Sequence, residues 1–331
     1  MENVLFIRLR LLGDIIFTIP SIQIFKKYFP EKEIFYVVEE KFEELAKLIP
    51  GIYKVIVVPY KMRIKDLIKF RRDIRKIGFK TVIDFHSGPK SALLTFLSKA
   101  KTRVGYKTPN RNWAYNHLTP RKFGNNYTHS VYNQAKLLEN IGIEIGKIPF
   151  YPEIKVHDKY VSKRIKDATK MNKKIVIHIG SGNKFRDWGM ENFESLIKKL
   201  KKHGLNIFLV GNSDEEKKRG EYLKKTYNLY DFTGNLEIKD LFYLIEHSNL
   251  YFGVDSGPIH VASLTKTPIV ALYGPNIPEI SGPWRERDVK IIQINLKCRP
   301  CSQRRCIYDK IRCMQNIKVE EVYETIYKYI K

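Results

Sequence analysis

The sequence predicts an α/β protein built from two doubly wound parallel-sheet domains. Three observations carry that prediction. Short β-branched apolar runs alternate with segments of helical periodicity along most of the chain. The alternation ends near residues 149–160, where PFYPE brings two prolines, and then starts again. Glycines and small polar residues collect just after the runs, at the strand ends where open parallel sheets hold ligands.

The first half opens with NVLFIRL (3–9), a short strand broken by Gly13-Asp14. A helix is expected over 15–29, ending before Pro30. EIFYVVE (33–39) is a second strand, followed by a helix at about 40–48. KVIVVP (54–59) is a third strand, and 61–77 a basic helix. TVIDFH (81–86), a helix over 90–99 and the strand TRVGY (102–106) complete this half. In the second half, KIVIHIG (174–180) leads to a helix at 190–203, and NIFLVG (206–211) to one at 214–227. YDFTG (230–234) precedes a helix at 237–247. LYFGVD (250–255) precedes a helix from Pro258, PIVALYG (268–274) is the last clear strand, and 318–330 is a closing helix. Strands separated by helices imply parallel sheets covered on both faces. The strand ends suggest a ligand cleft between two sheets whose C-terminal edges face each other.

A chain of 331 residues exceeds the commonest single-core size. No stretch approaches the ~20 apolar residues of a membrane span. The N-terminus carries Arg8 and Arg10 inside its apolar part and reads as a strand, not a signal peptide. A cytoplasmic location is therefore expected. Lys+Arg is 60 against Asp+Glu 35, a net charge of +25. That excess favours anionic partners: nucleic acid, a membrane face or phosphorylated substrates. No helix-turn-helix, RNP or finger spacing supports nucleic acid. No complete G-x-x-x-x-G-K-[ST] or post-strand G-x-G-x-x-G supports a P-loop NTPase or an NAD enzyme.

The residues at the strand ends carry the chemistry. In FGVDSGPIHVAS (252–263) a buried strand stops at Asp255, Ser256 and Gly257. Pro258 suits the first helical position, where its missing N–H costs nothing. The turn and the helix end could hold a diphosphate, with His260 in the first turn and Asp255 orienting donors or meeting sugar hydroxyls. An ordinary cap with a buried histidine explains the same residues. HIGSGNKFRDW (178–188) offers a Gly180-Ser181-Gly182 loop and two cations, Lys184 and Arg186. Arg186 could grip a phosphate bidentately, either cation could meet the diphosphate, and Trp188 packs structurally. Glu215 near a helix start could accept from ribose hydroxyls or simply favour the helix dipole. Asp14 at the first strand's end could be a general base or a helix cap. KMRIKDLIKFRRDIRKIGFK (61–80) has nine basic and two acidic residues, with Ile64, Leu67, Ile68, Ile74 and Ile77 at helical spacing. Its apolar stripe should pack on the sheet, and its outer face could meet anionic lipid. Cys298, Cys301, Cys306 and Cys313 lie within CRPCSQRRCIYDKIRC. A tetrahedral Zn site and one or two local disulfides are both open for them, ahead of free thiols.

The pairing of RLRLLGDIIFTIPSIQIFKKYFP with FGVDSGPIHVASLTKTPIVALYGPNIPE resembles the heptosyltransferases of lipopolysaccharide inner-core synthesis. DFHSGPKSALLTFLSKAKTRVGY and HIGSGNKFRDW resemble them too, in the right order, and D-[ST]-G-x-x-H-x-A is the most diagnostic piece. The resemblance implies the GT-B fold: an acceptor-binding domain over 1–155, a nucleotide-sugar domain over 156–316 and a closing helix over 317–331. It implies an inverting transfer from ADP-L-glycero-D-manno-heptose to a Kdo-containing lipid A core, at the inner face of the inner membrane. The base would be Asp14. Acceptor contacts would fall to Gly13, His86 and Lys90. Donor contacts would fall to Ser181, Gly182, Lys184, Arg186, Glu215, Asp255, Ser256, Gly257 and His260. Where the family often has a lysine two residues before the tryptophan, this chain has Arg186. No cofactor is required for such a displacement. It needs one base for the acceptor proton and donors or cations for the leaving diphosphate. Another GT-B transferase with a different nucleotide sugar stays open, as, more remotely, does a basic nucleic-acid-binding protein.

Overall fold

The computed structural model describes residues 3–121, 128–234, 236–308 and 310–331. The chain forms two compact units, Met1–Lys155 and Val156–Lys331. In the first, six parallel strands run β1 (Val4–Ile7), β2 (Ile34–Glu39), β3 (Ile52–Val58), β4 (Thr81–Asp84), β5 (Thr102–Tyr106) and β6 (His117–Thr119). They lie in the order β3-β2-β1-β4-β5-β6. Every residue of β1 and β2 is buried, which is why both read as unbroken apolar runs and not as alternating ones. Leu5, Ile7, Val37 and Val82 pack on Phe70 and Ile74 of the helix Ile64–Ile77. Phe6 meets Phe25 and Phe85 edge-on at 5.2 and 5.1 Å.

The helix expected over 15–29 is two helices, Leu12–Ile16 and Ile19–Tyr28. Pro20 explains the break. It has no N–H to continue a ladder, and it sits in the first turn of the second helix, where none is needed.

The second unit has β7 (Lys174–His178), β8 (Asn206–Val210), β9 (Tyr230–Asp231), β10 (Leu250–Val254), β11 (Ile269–Tyr273) and β12 (Val289–Gln293). Its order is β12-β11-β10-β7-β8-β9, again all parallel. Counted from each unit's own first strand, both sheets follow 3-2-1-4-5-6. The direction of winding reverses between β1 and β4 in the first sheet and between β7 and β10 in the second. Such switch points leave a crevice at the strand C-termini. The loops after these four strands are therefore the places to look for a site.

Trp188 is fully buried in the second core, edge-on to Phe193 at 5.3 Å and to Phe252 at 5.8 Å. Its Nε1 donates to Ile317 O at 3.0 Å. The closing helix, Val319–Ile330, adds Val322 and Ile326 to that core, so it is part of the second unit. Among the described residues no helix is long and apolar enough to cross a membrane.

Candidate active site

In the first unit, the loop after β1 turns into the short helix Leu12–Ile16, with Asp14 its third residue. Asp14 is therefore not the N-cap; Leu11 is. Asp14 Oδ2 accepts from Leu11 N at 3.3 Å and pairs with Arg8 Nη2. The helix is thus closed by a carboxylate reaching back one turn. Arg8 is buried and its other amino group donates to Phe85 O, which ties the β1 loop to the β4 loop. The hydrogen bond from Leu11 N and the closest approach of Arg8 both fall on Oδ2. The side chain is 33% exposed. It lines a cavity of about 150 Å³ with Arg8, Tyr106, Arg121, Asn133 and Gln134. Gly13 is buried at the start of the same helix.

After β4, Asp84 is buried and accepts from His86 N and Ser87 N, both at 2.9 Å, and from the Tyr115 hydroxyl at 2.7 Å. Burial pushes its carboxyl up, against these bonds. His86 follows. Burial, and then the Arg8 charge, lower its imidazole to about 4, so the ring is neutral at pH 7. The ring lies over Gly88, where a Cβ would come within 2.7 Å of it. Lys90 is committed elsewhere. It pairs with Glu39 and donates to Tyr60 O at 2.9 Å and Pro59 O at 3.1 Å. That leaves little of its ammonium for an acceptor.

In the second unit, the loops after β7 and β10 meet. The loop after β7 holds Lys184–Arg186 in one 3-10 turn, with Asn183 capping it. Lys184 is exposed, with its ammonium 5.4 Å from the Phe185 ring. Arg186 is partly buried and lies 3.6 Å from Asp255 Oδ2. Asp255 is buried. Burial raises its carboxyl, opposed by the Arg186 charge and a hydrogen bond from Asn276 at 2.6 Å. Ser181 Oγ accepts from Asn183 N at 3.2 Å, and Gly182 is exposed beside it. Ser256 is the N-cap of the helix Gly257–Ala262, and His260 is buried within that helix. The helix has only six residues, and Arg186 is the partly buried cation nearest Asp255.

Two residues here were missed from sequence. Ser256 Oγ lies 3.0 Å from His178 Nδ1, and His178 Nε2 lies 2.9 Å from Glu216 Oε1. Glu216 Oε2 also accepts from Asn212 N and Ser213 N, both at 2.8 Å. Burial alone would raise this carboxyl, but the His178 bond and charge and the two backbone donors together lower it to about 2. Glu216 packs under Gly180 and Gly211, where a Cβ would come within 2.7 and 2.8 Å of it. Those two glycines are there for the close approach. Glu215, the acid singled out from sequence, is instead exposed and pairs with Arg219 at 3.3 Å. The signal that distinguishes them is Ser213-x-x-Glu216, a capping box.

The sequence model of Glycosyltransferase family 9 (heptosyltransferase) matches residues 67–312, well over half of the chain. The chain belongs to glycosyltransferase family 9. It is 24% identical over 329 residues to a lipooligosaccharide heptosyltransferase 2 of Campylobacter jejuni, covering 96% of each chain. Among solved structures, the family 9 glycosyl transferase of Veillonella parvula superposes with a TM-score of 0.86 at 21% identity, covering 99% of this chain and 97% of that one. The ADP-heptose lps heptosyltransferase II of E. coli gives 0.80 at 17% identity, covering 100% and 98%. Two six-stranded parallel sheets with flanking helices are the GT-B architecture of these family 9 structures. This family 9 chain is a glycosyltransferase.

The four cysteines of this family 9 member all line one cavity in the second unit. Cys298, Cys301, Cys306 and Cys313 are all free thiols. Among the described residues no three His, Cys, Asp or Glu side chains come together to hold a metal. Cys313 starts inside the helix Arg312–Gln315 and faces Gly274, where a Cβ would lie 3.3 Å from its sulfur. Cys306 Sγ instead donates to Lys310 O at 3.4 Å. Arg299 spans the loop's base, donating to Gly274 O at 2.7 Å and Ile294 O at 2.6 Å.

Proposed function

We propose that the chain transfers L-glycero-D-manno-heptose from ADP-heptose to the Kdo/heptose inner core of lipid A, with inversion at the anomeric carbon. The names of its relatives support the donor and acceptor: a lipooligosaccharide heptosyltransferase and an ADP-heptose lps heptosyltransferase. The observation that carries the mechanism is the Asp14 carboxylate, gripped at Oδ2 and one-third exposed at the end of the first strand. In this reading Oδ1 takes the proton from the acceptor hydroxyl as that oxygen attacks C1. The C1–O bond to the diphosphate breaks in the same step, and ADP leaves with the bonding pair. Asp14 is the base, and Gly13, His86 and Lys90 lie on the acceptor side. A neutral His86 can meet a sugar hydroxyl as donor or acceptor. Ser181, Gly182, Lys184, Arg186, Asp255, Ser256, Gly257 and His260 lie on the donor side, with Arg186 the main counter-charge to the diphosphate. Glu215 stays as a rim contact for the ribose. The decisive experiment is a donor panel of ADP-, UDP- and GDP-sugars with a Kdo-lipid A acceptor. Turnover with ADP-heptose alone is expected. Preference for a UDP- or GDP-sugar would assign a different transferase activity.

The two cations of the phosphate loop should differ. Arg186→Ala is expected to weaken ADP binding by roughly ten- to a hundredfold, as loss of a charge-assisted, partly buried contact does. Lys184→Ala should change it by less than about threefold, because an exposed lysine is screened. Calorimetry with ADP measures both, and the reverse order would move the diphosphate to Lys184.

We also propose that the enzyme works peripherally on an anionic membrane. The helix Ile64–Ile77 buries Phe70 and Ile74 but leaves Ile64 77% and Ile68 63% exposed, among Lys65, Lys69 and Arg72. The expected apolar stripe thus splits between core and surface, and exposed isoleucines among cations suit a lipid headgroup layer. Binding to vesicles with phosphatidylglycerol should fall with added salt and fall further in Ile64→Ser/Ile68→Ser. Equal binding to neutral vesicles would oppose the proposal.

A further inference from the structure

We infer that Gln303, in the cysteine-rich loop, is a positioning residue for the donor diphosphate: it aims Arg186 and orients Asn276 against Asp255. The inference rests on the donor-site reading above.

Gln303 Oε1 accepts from Arg186 Nε at 2.8 Å and from Asn183 Nδ2 at 2.7 Å. Its Nε2 donates to Asn276 Oδ1 at 2.6 Å. Asn276 Nδ2 in turn donates to Asp255 Oδ2 at 2.6 Å. The polarity of this chain is set by its ends. A guanidinium only donates, so Gln303 must present its oxygen to Arg186. Its amide nitrogen then faces Asn276, which must answer with oxygen. Asn276 is left with its nitrogen toward Asp255 Oδ2, which accepts from it. Each link has one permitted orientation, and only a primary amide at 303 supplies an acceptor and a donor at that reach.

The consequence falls on Arg186. Its Nε is occupied by Gln303, and its Nη1 points at Asp255 O at 3.4 Å and Oδ2 at 3.6 Å. Nη2 has no partner among the described residues, so one N–H edge of the fork remains to be offered to an anion. Without Gln303, Arg186 is free to swing fully onto Asp255, which would neutralise the charge the diphosphate needs.

The backbone gives an independent observation. Gln303 has φ +56°, in the left-handed region. A non-glycine residue there costs about 1 kcal/mol or more. Glycine would suit the turn better, yet the position carries an amide whose two ends are both engaged. Its N–H donates to Cys301 Sγ at 3.3 Å, so the loop's own thiol seats it.

Glycine also makes the test clean. Gln303→Gly removes the side chain and relieves the backbone, so a merely structural glutamine would leave a stable protein with unchanged ADP affinity. Calorimetry with ADP should instead show binding about tenfold weaker in Gln303→Gly, with a thermal midpoint no lower than wild type. Gln303→Glu keeps the reach but neutralises Arg186 and sets an acceptor against Asn276 Oδ1, so it should weaken ADP by a similar factor. The double variant Arg186→Ala/Gln303→Gly should bind within about threefold of Arg186→Ala, because Gln303 acts mainly through the arginine. Affinity within twofold of wild type in both single variants, or additive losses in the double, would overturn the inference. Wild-type protein that does not bind ADP would remove the donor-site reading with it. Loss in Arg186→Ala with full binding in both Gln303 variants would remove this inference alone.

Discussion

Asp14→Asn is expected to lower kcat by ~10²–10⁴ while leaving ADP affinity nearly unchanged, the range lost with a general base. The asparagine has the same shape, and its amide oxygen can still accept from Leu11 N–H and Arg8, so the short helix keeps its closure. What it cannot do is take a proton. ADP binding should survive because the proposed diphosphate contacts, Arg186 and its neighbours, belong to the other unit. Steady-state kinetics with ADP-heptose, paired with calorimetry on ADP, separates the two effects. Turnover within about threefold of wild type would reduce Asp14 to a helix-closing residue.

Trp188→Ala is expected to cost about 3–5 kcal/mol, the range for truncating a large aromatic in a packed core. Trp188 is fully buried, packs edge-on against Phe193 and Phe252, and satisfies the carbonyl of Ile317. Truncation leaves a cavity and an unpaired carbonyl beneath the closing helix. The effect should reach the site. Trp188 follows Arg186 by two residues, so its indole anchors the end of the loop after β7. Urea unfolding followed by circular dichroism measures the loss, and a change below about 1 kcal/mol would mean that the core closes over the gap.

Most of the strand plan was legible because these sheets are covered on both faces. β1, β2, β7, β10 and β11 are short β-branched runs buried almost end to end, and turns bound each one. The strands the sequence did not reveal are both at sheet edges. β6 is three residues with two exposed, and β12 has a single buried residue among five. Edge strands carry little hydrophobic signal. The site was legible to the same depth. Asp14, Ser181, Arg186 and Asp255 stand at strand ends, where chain order alone locates them. Seeing that Glu216 turns inward beside Glu215 needed the capping box that fixes which acid is buried. His178 reads as the last residue of a strand, and only the fold brings it to Ser256, 78 residues away. Gln303 had no sequence signal, because its three partners come from two segments far from it in the chain. The cysteine motif is compact in the sequence and stays so in the fold: all four thiols line one cavity, and none is bonded to another among the described residues.

The one-third exposure of Asp14 bears on what happens after each transfer. In the proposed role the carboxylate ends every catalytic cycle as an acid and must be reset before the next. A deeply buried base would need a relay of side chains or waters to shed that proton. In that role a carboxyl one-third exposed would give up its proton directly to water once the product had left, so solvent would recharge the enzyme. Product departure, not proton export, would then govern how soon the next acceptor can react.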